Sequence, residues 1–210
     1  MRERDGFRPF LDAVIGGDVA DVRRRLAADP ALATGTYALG ATRLEPRAFF
    51  FPVIRHYLYA NDTALHMAAA AFQRGIAEIL IAHGADVHAR NRMGAMPLHY
   101  AADTNHWNPG AQAETIAFLI SAGADPNDTD RRSVTPLHRA VRTRSSAAVR
   151  ALLTGGADPR KKNGNGSTPQ QLAKWTTGKS GSGTARAHHE QAEIIRVLRQ
   201  AVAGDPAYTS

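Results

Sequence analysis

The stretch Thr135-Pro136-Leu137-His138-Arg139-Ala140 decides the fold, because the chain repeats it. It is foreshadowed by Thr63-Ala64-Leu65-His66-Met67-Ala68 and Met96-Pro97-Leu98-His99-Tyr100-Ala101, and echoed by Thr168-Pro169-Gln170-Gln171-Leu172-Ala173. The first residues of these blocks lie 33, 39 and 33 apart. A second block keeps step with the first: Gly84-Ala85-Asp86-Val87, Gly123-Ala124-Asp125-Pro126 and Gly156-Ala157-Asp158-Pro159, spaced 39 and 33. Both stretch by six residues in the same unit, so one repeat carries an insertion and the period is not a coincidence. A divergent first unit precedes them, with Arg8-Pro9-Phe10-Leu11-Asp12-Ala13 opening one helix and Gly17 to Val22 leading into the next.

The chemistry of the unit is that of a helix pair. Thr135 and Thr168 suit the N-cap, and the proline after each suits the first helical position. Leu65, Leu98 and Leu137, with the small Ala68, Ala101 and Ala140, give the first helix an apolar face that admits a close neighbour. The second helix has its own periodicity in Ile76, Ile79 and Leu80, in Ile116, Leu119 and Ile120, and in Val149, Leu152 and Leu153. A glycine follows each of these helices, where a left-handed residue ends the helix cheaply. Met96 stands where a capping threonine is expected, a local loss of about 1 kcal/mol unless another group caps that helix. One unit has too little core to fold alone, so neighbours must stack.

These two phased blocks resemble the ankyrin-repeat family over most of residues 8 to 203, with residues 34–60 outside the likeness. The resemblance implies an all-α solenoid of about five helix–turn–helix repeats with hairpin loops, residues 1–210 forming a single ankyrin-repeat domain. It also implies that His66, His99 and His138 are structural, each bonding the next repeat, and that Thr63, Thr135 and Thr168 belong to the same motif. Such proteins bind partners on an inner, concave face made of hairpin tips and first helices. At those phases lie Arg90, Arg92, Met93, Arg131, Arg132, Arg142 and Lys162. Trp107 and Trp175 fall at lengthened helix–helix turns and are candidates for a second contact surface, or rings that cover their own loops.

Charge sharpens the expectation. Lys and Arg number 26 against 19 Asp and Glu, a net +7. From Arg131 to Lys162 nine basic residues meet one acidic residue, Asp158. Cations concentrated at binding-type positions suggest a protein partner with an acidic surface. A weaker alternative is nucleic acid, although the aromatic interleaving of a single-strand platform is missing. Another rests on the 22 residues added between the first two units, which hold Tyr37, Phe49, Phe50, Phe51, Tyr57 and Tyr59, six of the fourteen aromatic residues. This insertion either folds back to enlarge a terminal core or walls a small-molecule or enzymatic site, with His56, Tyr57, Tyr59, Asp103 and His106 as its polar groups.

Other chemistry finds little support. With no cysteine there is no disulfide and no thiolate metal site. His188 and His189 are adjacent and diverge on a helix, a poor chelate, so no metal is expected. Gly178-Lys179-Ser180 imitates the end of a phosphate loop, but Ala173 occupies the position of the required first glycine. No serine sits in a nucleophile elbow. The expectation is a non-catalytic, monomeric interaction module without cofactor. The apolar run from Ala48 to Ile54 is too short to span a membrane, and no apolar stretch follows the charged start as a secretory signal requires. A cytoplasmic setting is expected, and the alanine- and arginine-rich style reads as bacterial.

Overall fold

The computed structural model describes residues 7–42, 47–103, 108–175 and 184–204. Ten helices fall into five consecutive pairs among these residues: α1 (Phe7–Gly16) with α2 (Val19–Ala28), α3 (Ala64–Ala70) with α4 (Arg74–Ala82), α5 (Pro97–Ala102) with α6 (Pro109–Ser121), α7 (Pro136–Thr143) with α8 (Ser146–Thr154), and α9 (Pro169–Trp175) with α10 (Ala185–Ala203). The only paired strands among the described residues are β1 (Phe50–Phe51) and β2 (His56–Tyr57), which run antiparallel inside the insertion. The chain divides into two compact units, Met1–Ala101 and Ala102–Ser210.

In the first unit α1 packs on α3 and α2 on α4. Phe10, Leu11 and Val14 of α1 are fully buried, and every residue of α3 is buried. The run Ala68-Ala69-Ala70 keeps α3 thin enough for neighbours to approach. Asp18 caps α2 by accepting the Asp21 N–H at 2.9 Å. Gly84, at φ 89°, ends α4 in the left-handed conformation that costs glycine least.

The insertion folds back. Its early segment pairs with the chain leading into α3: the Tyr37 N–H donates to the Asp62 carbonyl at 2.8 Å, and the Ala41 N–H to that of Leu58 at 2.8 Å. Tyr37 stacks on Phe7 with centroids 6.0 Å apart, and the Arg8 guanidinium lies 3.9 Å from the centroid of the Phe51 ring. Phe51, Ile54 and Leu58 are buried. Aromatic bulk thus enlarges a core that α1 and α2 alone would leave thin.

In the second unit α6 packs on α8, α8 on α10 and α7 on α9. Side-chain oxygens cap the helices: Asn108 accepts from the Ala111 N–H, Ser145 from Ala148 and Thr184 from Ala187. The Ser145 hydroxyl also bonds the buried Gln112 amide at 2.7 Å, tying the start of α8 to α6. Glu190 of α10 accepts the Ser146 N–H at 2.8 Å, a carboxylate at the positive end of α8.

Candidate interaction surface

The signature residues form the scaffold that carries the surface. Thr63 and His66 cap each other's backbone: the His66 N–H donates to Thr63 Oγ1 at 3.3 Å, and the Thr63 N–H to His66 Nδ1 at 3.2 Å. Nδ1 is therefore the acceptor, which leaves the proton on Nε2 to bond the Ala95 carbonyl at 3.1 Å, 29 residues further on. Thr135 and His138 repeat the arrangement, with Nε2 3.0 Å from the Ser167 carbonyl. Burial holds the pKa of His138 below the ordinary imidazole value, against the Ser167 bond and the charge of Asp130. At the second signature the methionine has no hydroxyl, but His99 Nδ1 still accepts the Met96 N–H at 3.3 Å. In the last, Gln171 replaces the histidine: Oε1 accepts the Thr168 N–H at 2.8 Å, and the Gln171 N–H donates to Thr168 Oγ1 at 3.3 Å.

A second repeated device builds the hairpins, and sequence reasoning missed it. Asn91 Oδ1 accepts the N–H groups of Met93 and Ala95 at 2.9 and 3.0 Å. Asp130 Oδ1 does the same for Arg132 and Val134 at 2.8 and 3.1 Å, and Asn163 Oδ1 for Asn165 and Ser167, both at 3.0 Å. The fourth residue of each turn is left-handed: Gly94 (φ 74°), Ser133 (φ 55°) and Gly166 (φ 77°). An Asx side chain standing in for a backbone turn fixes the tip residues between it and the next helix. The signal was present as Asn, Asp and Asn five residues before the second, third and fourth signature blocks.

On this frame the predicted site residues have distinct fates. In the first unit Arg90 is exposed and donates to the Gly94 carbonyl at 3.1 Å. Arg92 is exposed, yet its guanidinium bonds the Ala41 carbonyl at 2.9 Å and its N–H the Ala60 carbonyl at 2.8 Å, so it braces the insertion. Met93 beside it is half-buried. In the second unit the tip at Arg131 and Arg132 is joined to the next by the Gly164 N–H donating to the Arg132 carbonyl at 2.8 Å. Arg131, Arg132 and Lys162 are exposed and make no side-chain hydrogen bond or ion pair among the described residues. Arg142, at the end of α7, keeps 58% of its side chain exposed while its Nη2 lies 3.3 Å from Asp103 Oδ1. Trp107, His106, residues 178–180 and the indole of Trp175 lie outside the described residues.

The basic run needs correcting as a surface. Arg139, only 12% exposed, lies between Asp103 Oδ2 at 2.8 Å and Asp130 Oδ2 at 3.2 Å. Arg144 is buried, and Arg150 pairs with Glu193 at 2.5 Å. Arg196 and Arg150 together pull the Glu193 carboxyl down to about 2. Arg160 and Lys161 donate to the carbonyls of Val202 and Asn127. Burial opposes ionisation of Asp130, but the N–H groups of Arg132 and Val134 and the Arg139 charge outweigh it, leaving its pKa below the usual carboxylate value. The cationic surface is thus smaller than the count of nine suggests.

Two of the polar groups that the sequence offers for a small-molecule or enzymatic site, Asp103 and His56, are engaged with neighbours, while Tyr57 is exposed. Asp103 holds two arginines. His56 is buried with Nδ1 2.7 Å from the Tyr57 carbonyl, and its ring lies 4.4 Å from that of Tyr100. Tyr100 in turn donates to the buried Asp62 at 2.8 Å, which also accepts from Asn91 Nδ2 at 2.9 Å and the Tyr59 N–H at 2.6 Å. Burial raises the Asp62 carboxyl to about 6, against these three donors and the charge of His56. No group of three metal-ligating side chains occurs among the described residues. An open groove of about 440 Å³ between α2 and α4 is lined by Val19, Gly75, Ile79 and Ala82 with Arg23, Glu78 and His83.

Helix pairs with cross-repeat histidines and Asx-turned hairpins define a helical repeat protein. Models of ankyrin repeats (3 copies) and ankyrin repeats (many copies) match residues 51–130 and 119–173, together more than half of the chain. The chain belongs to the ankyrin-repeat family, whose repeats are generally protein–protein interaction modules and typically not enzymes. No curated protein matches it. Among the described residues no helix is long and apolar enough to cross a membrane.

Proposed function

We propose that this ankyrin-repeat protein is a non-catalytic module that binds an acidic protein segment on its basic hairpin tips and first-helix ends. Arg131, Arg132, Lys162 and Arg142 are the core of the surface, with Arg90, Arg92, Met93, Trp107 and Trp175 as further contacts. The observation that carries this reading is the Gly164 to Arg132 hydrogen bond, which sets two cation-bearing hairpins side by side with Arg131, Arg132 and Lys162 exposed. Neighbouring cations without internal partners attract a run of carboxylates at small conformational cost. Residues 1–210 act in this reading as one ankyrin-repeat domain, monomeric and working in a bacterial cytoplasm.

The test is fluorescence anisotropy with a labelled glutamate-rich peptide and its glutamine counterpart. The protein should prefer the glutamate peptide, and reversing Arg131 and Arg132 to glutamate should weaken binding about tenfold or more. Tm should stay within about 2 °C, because neither side chain holds the fold. Equal affinity for both peptides would remove the acidic partner from the proposal.

A further inference from the structure

We infer that the basic surface of residues 102–210 has two working parts: Arg142, held by Asp103, is the anchor that grips a partner carboxylate, while Arg131, Arg132 and Lys162 draw the partner in without fixing it. The inference rests on the acidic-partner reading above and divides its labour.

The four charged side chains around α7 form a continuous chain of contacts. Asp130 shapes the hairpin through Oδ1 and holds Arg139 through Oδ2. Arg139 passes from Asp130 to Asp103, and Asp103, itself only 9% exposed, spends its other oxygen on Arg142. Two arginines and two aspartates cancel in charge, so this network adds little to long-range attraction. What it supplies is orientation. Arg142 reaches the surface from a helix end with one edge of its guanidinium tied down, and among the described residues the rest of the planar fork has no other partner, which leaves it for a single carboxylate. An arginine already held in place loses little freedom on binding, and a bidentate contact must be broken before the partner leaves.

The three tip cations have the opposite character. They are exposed, without side-chain partners among the described residues, and carry uncancelled charge. Charges of this kind accelerate encounter and are screened by salt, whereas dissociation follows the contacts that must break.

Surface plasmon resonance of the full chain over the immobilised glutamate-rich peptide separates the two roles. Replacing Arg142 by glutamine should raise the dissociation rate about tenfold while leaving the association rate within about twofold. Arg142→Lys, which keeps the charge and loses the fork, should dissociate nearly as fast as R142Q. Asp103→Asn, which unties the guanidinium, should move in the same direction. Glutamine at Arg131, Arg132 and Lys162 together should lower the association rate about tenfold at about 50 mM salt, and the deficit should vanish near about 500 mM. If R142Q leaves dissociation unchanged, or R142K behaves as wild type, the anchor is wrong; neither outcome depends on whether D103N folds. Should the tip variant still slow association in that case, the acidic-partner reading survives alone. If the wild-type protein does not distinguish the glutamate from the glutamine peptide, both fall.

Discussion

Asp62 is a carboxyl group with no solvent contact, three hydrogen-bond donors and one charged neighbour. Burial dominates and its pKa rises from 3.8 to about 6. A carboxyl raised on folding binds its proton more tightly in the native state, so its contribution to stability is complete below 3.8 and is lost as pH climbs through about 6. The expected penalty from this group is roughly 2 kcal/mol between about pH 4 and about pH 7.5. Urea unfolding of the wild type and of Asp62→Asn at both pH values measures it, because every other titrating group is common to the two. Parallel pH dependences would show that Asp62 is ionised at little cost. Nothing in the local sequence announced this residue: Asn-Asp-Thr before a helix reads as turn chemistry, and the partners Asn91 and Tyr100 lie 29 and 38 residues away.

At the scale of elements, the repeats lock through their hairpins as well as through their helices. A Cβ at position 164 would lie 2.7 Å from the Arg132 carbonyl oxygen, which is backbone and cannot swing aside. Gly164→Ala should therefore part the two tips and cost about 1–3 kcal/mol in chemical denaturation. An unchanged midpoint would mean that the hairpins are not held at this spacing. The helix pairs were legible in advance because caps, glycine stops and apolar faces are short-range features that a period repeats. The reciprocal threonine–histidine caps follow from one such block. The Asx turns are equally local and equally periodic, since Asn91, Asp130 and Asn163 recur at the same distance before a signature block. For the aromatic insertion, composition argued for burial or for a site wall and left both open. The stacking of Tyr37 on Phe7 and the depth of Phe51, Ile54 and Leu58 depend on where the chain returns, which composition does not specify.

For the whole molecule the proposal of one domain has a thermal signature. Ankyrin-type stability is a sum of weak units and the interfaces between neighbours, so units that depend on each other melt together. Scanning calorimetry of the full chain should show one transition whose calorimetric and van't Hoff enthalpies agree. Two separate transitions, one for residues 1–101 and one for 102–210, would replace one domain by two. The net charge of +7 remains a statement about solubility and attraction, since much of the basic run is spent inside the second unit.

Before any folding, the spacing of two short blocks was enough for the repeat, the number of helix pairs, their caps and stops, and the place of the insertion. All of these arise from interactions within a few residues, copied at a constant interval. Which cations remain available to a partner is another matter. Arg139 and Arg142 look alike in the chain, three residues apart, yet one is sunk between two carboxylates and the other stands at the surface holding one of them. Asp103 lies 36 and 39 residues from those arginines, so the pairing exists only once successive repeats bring their helices together.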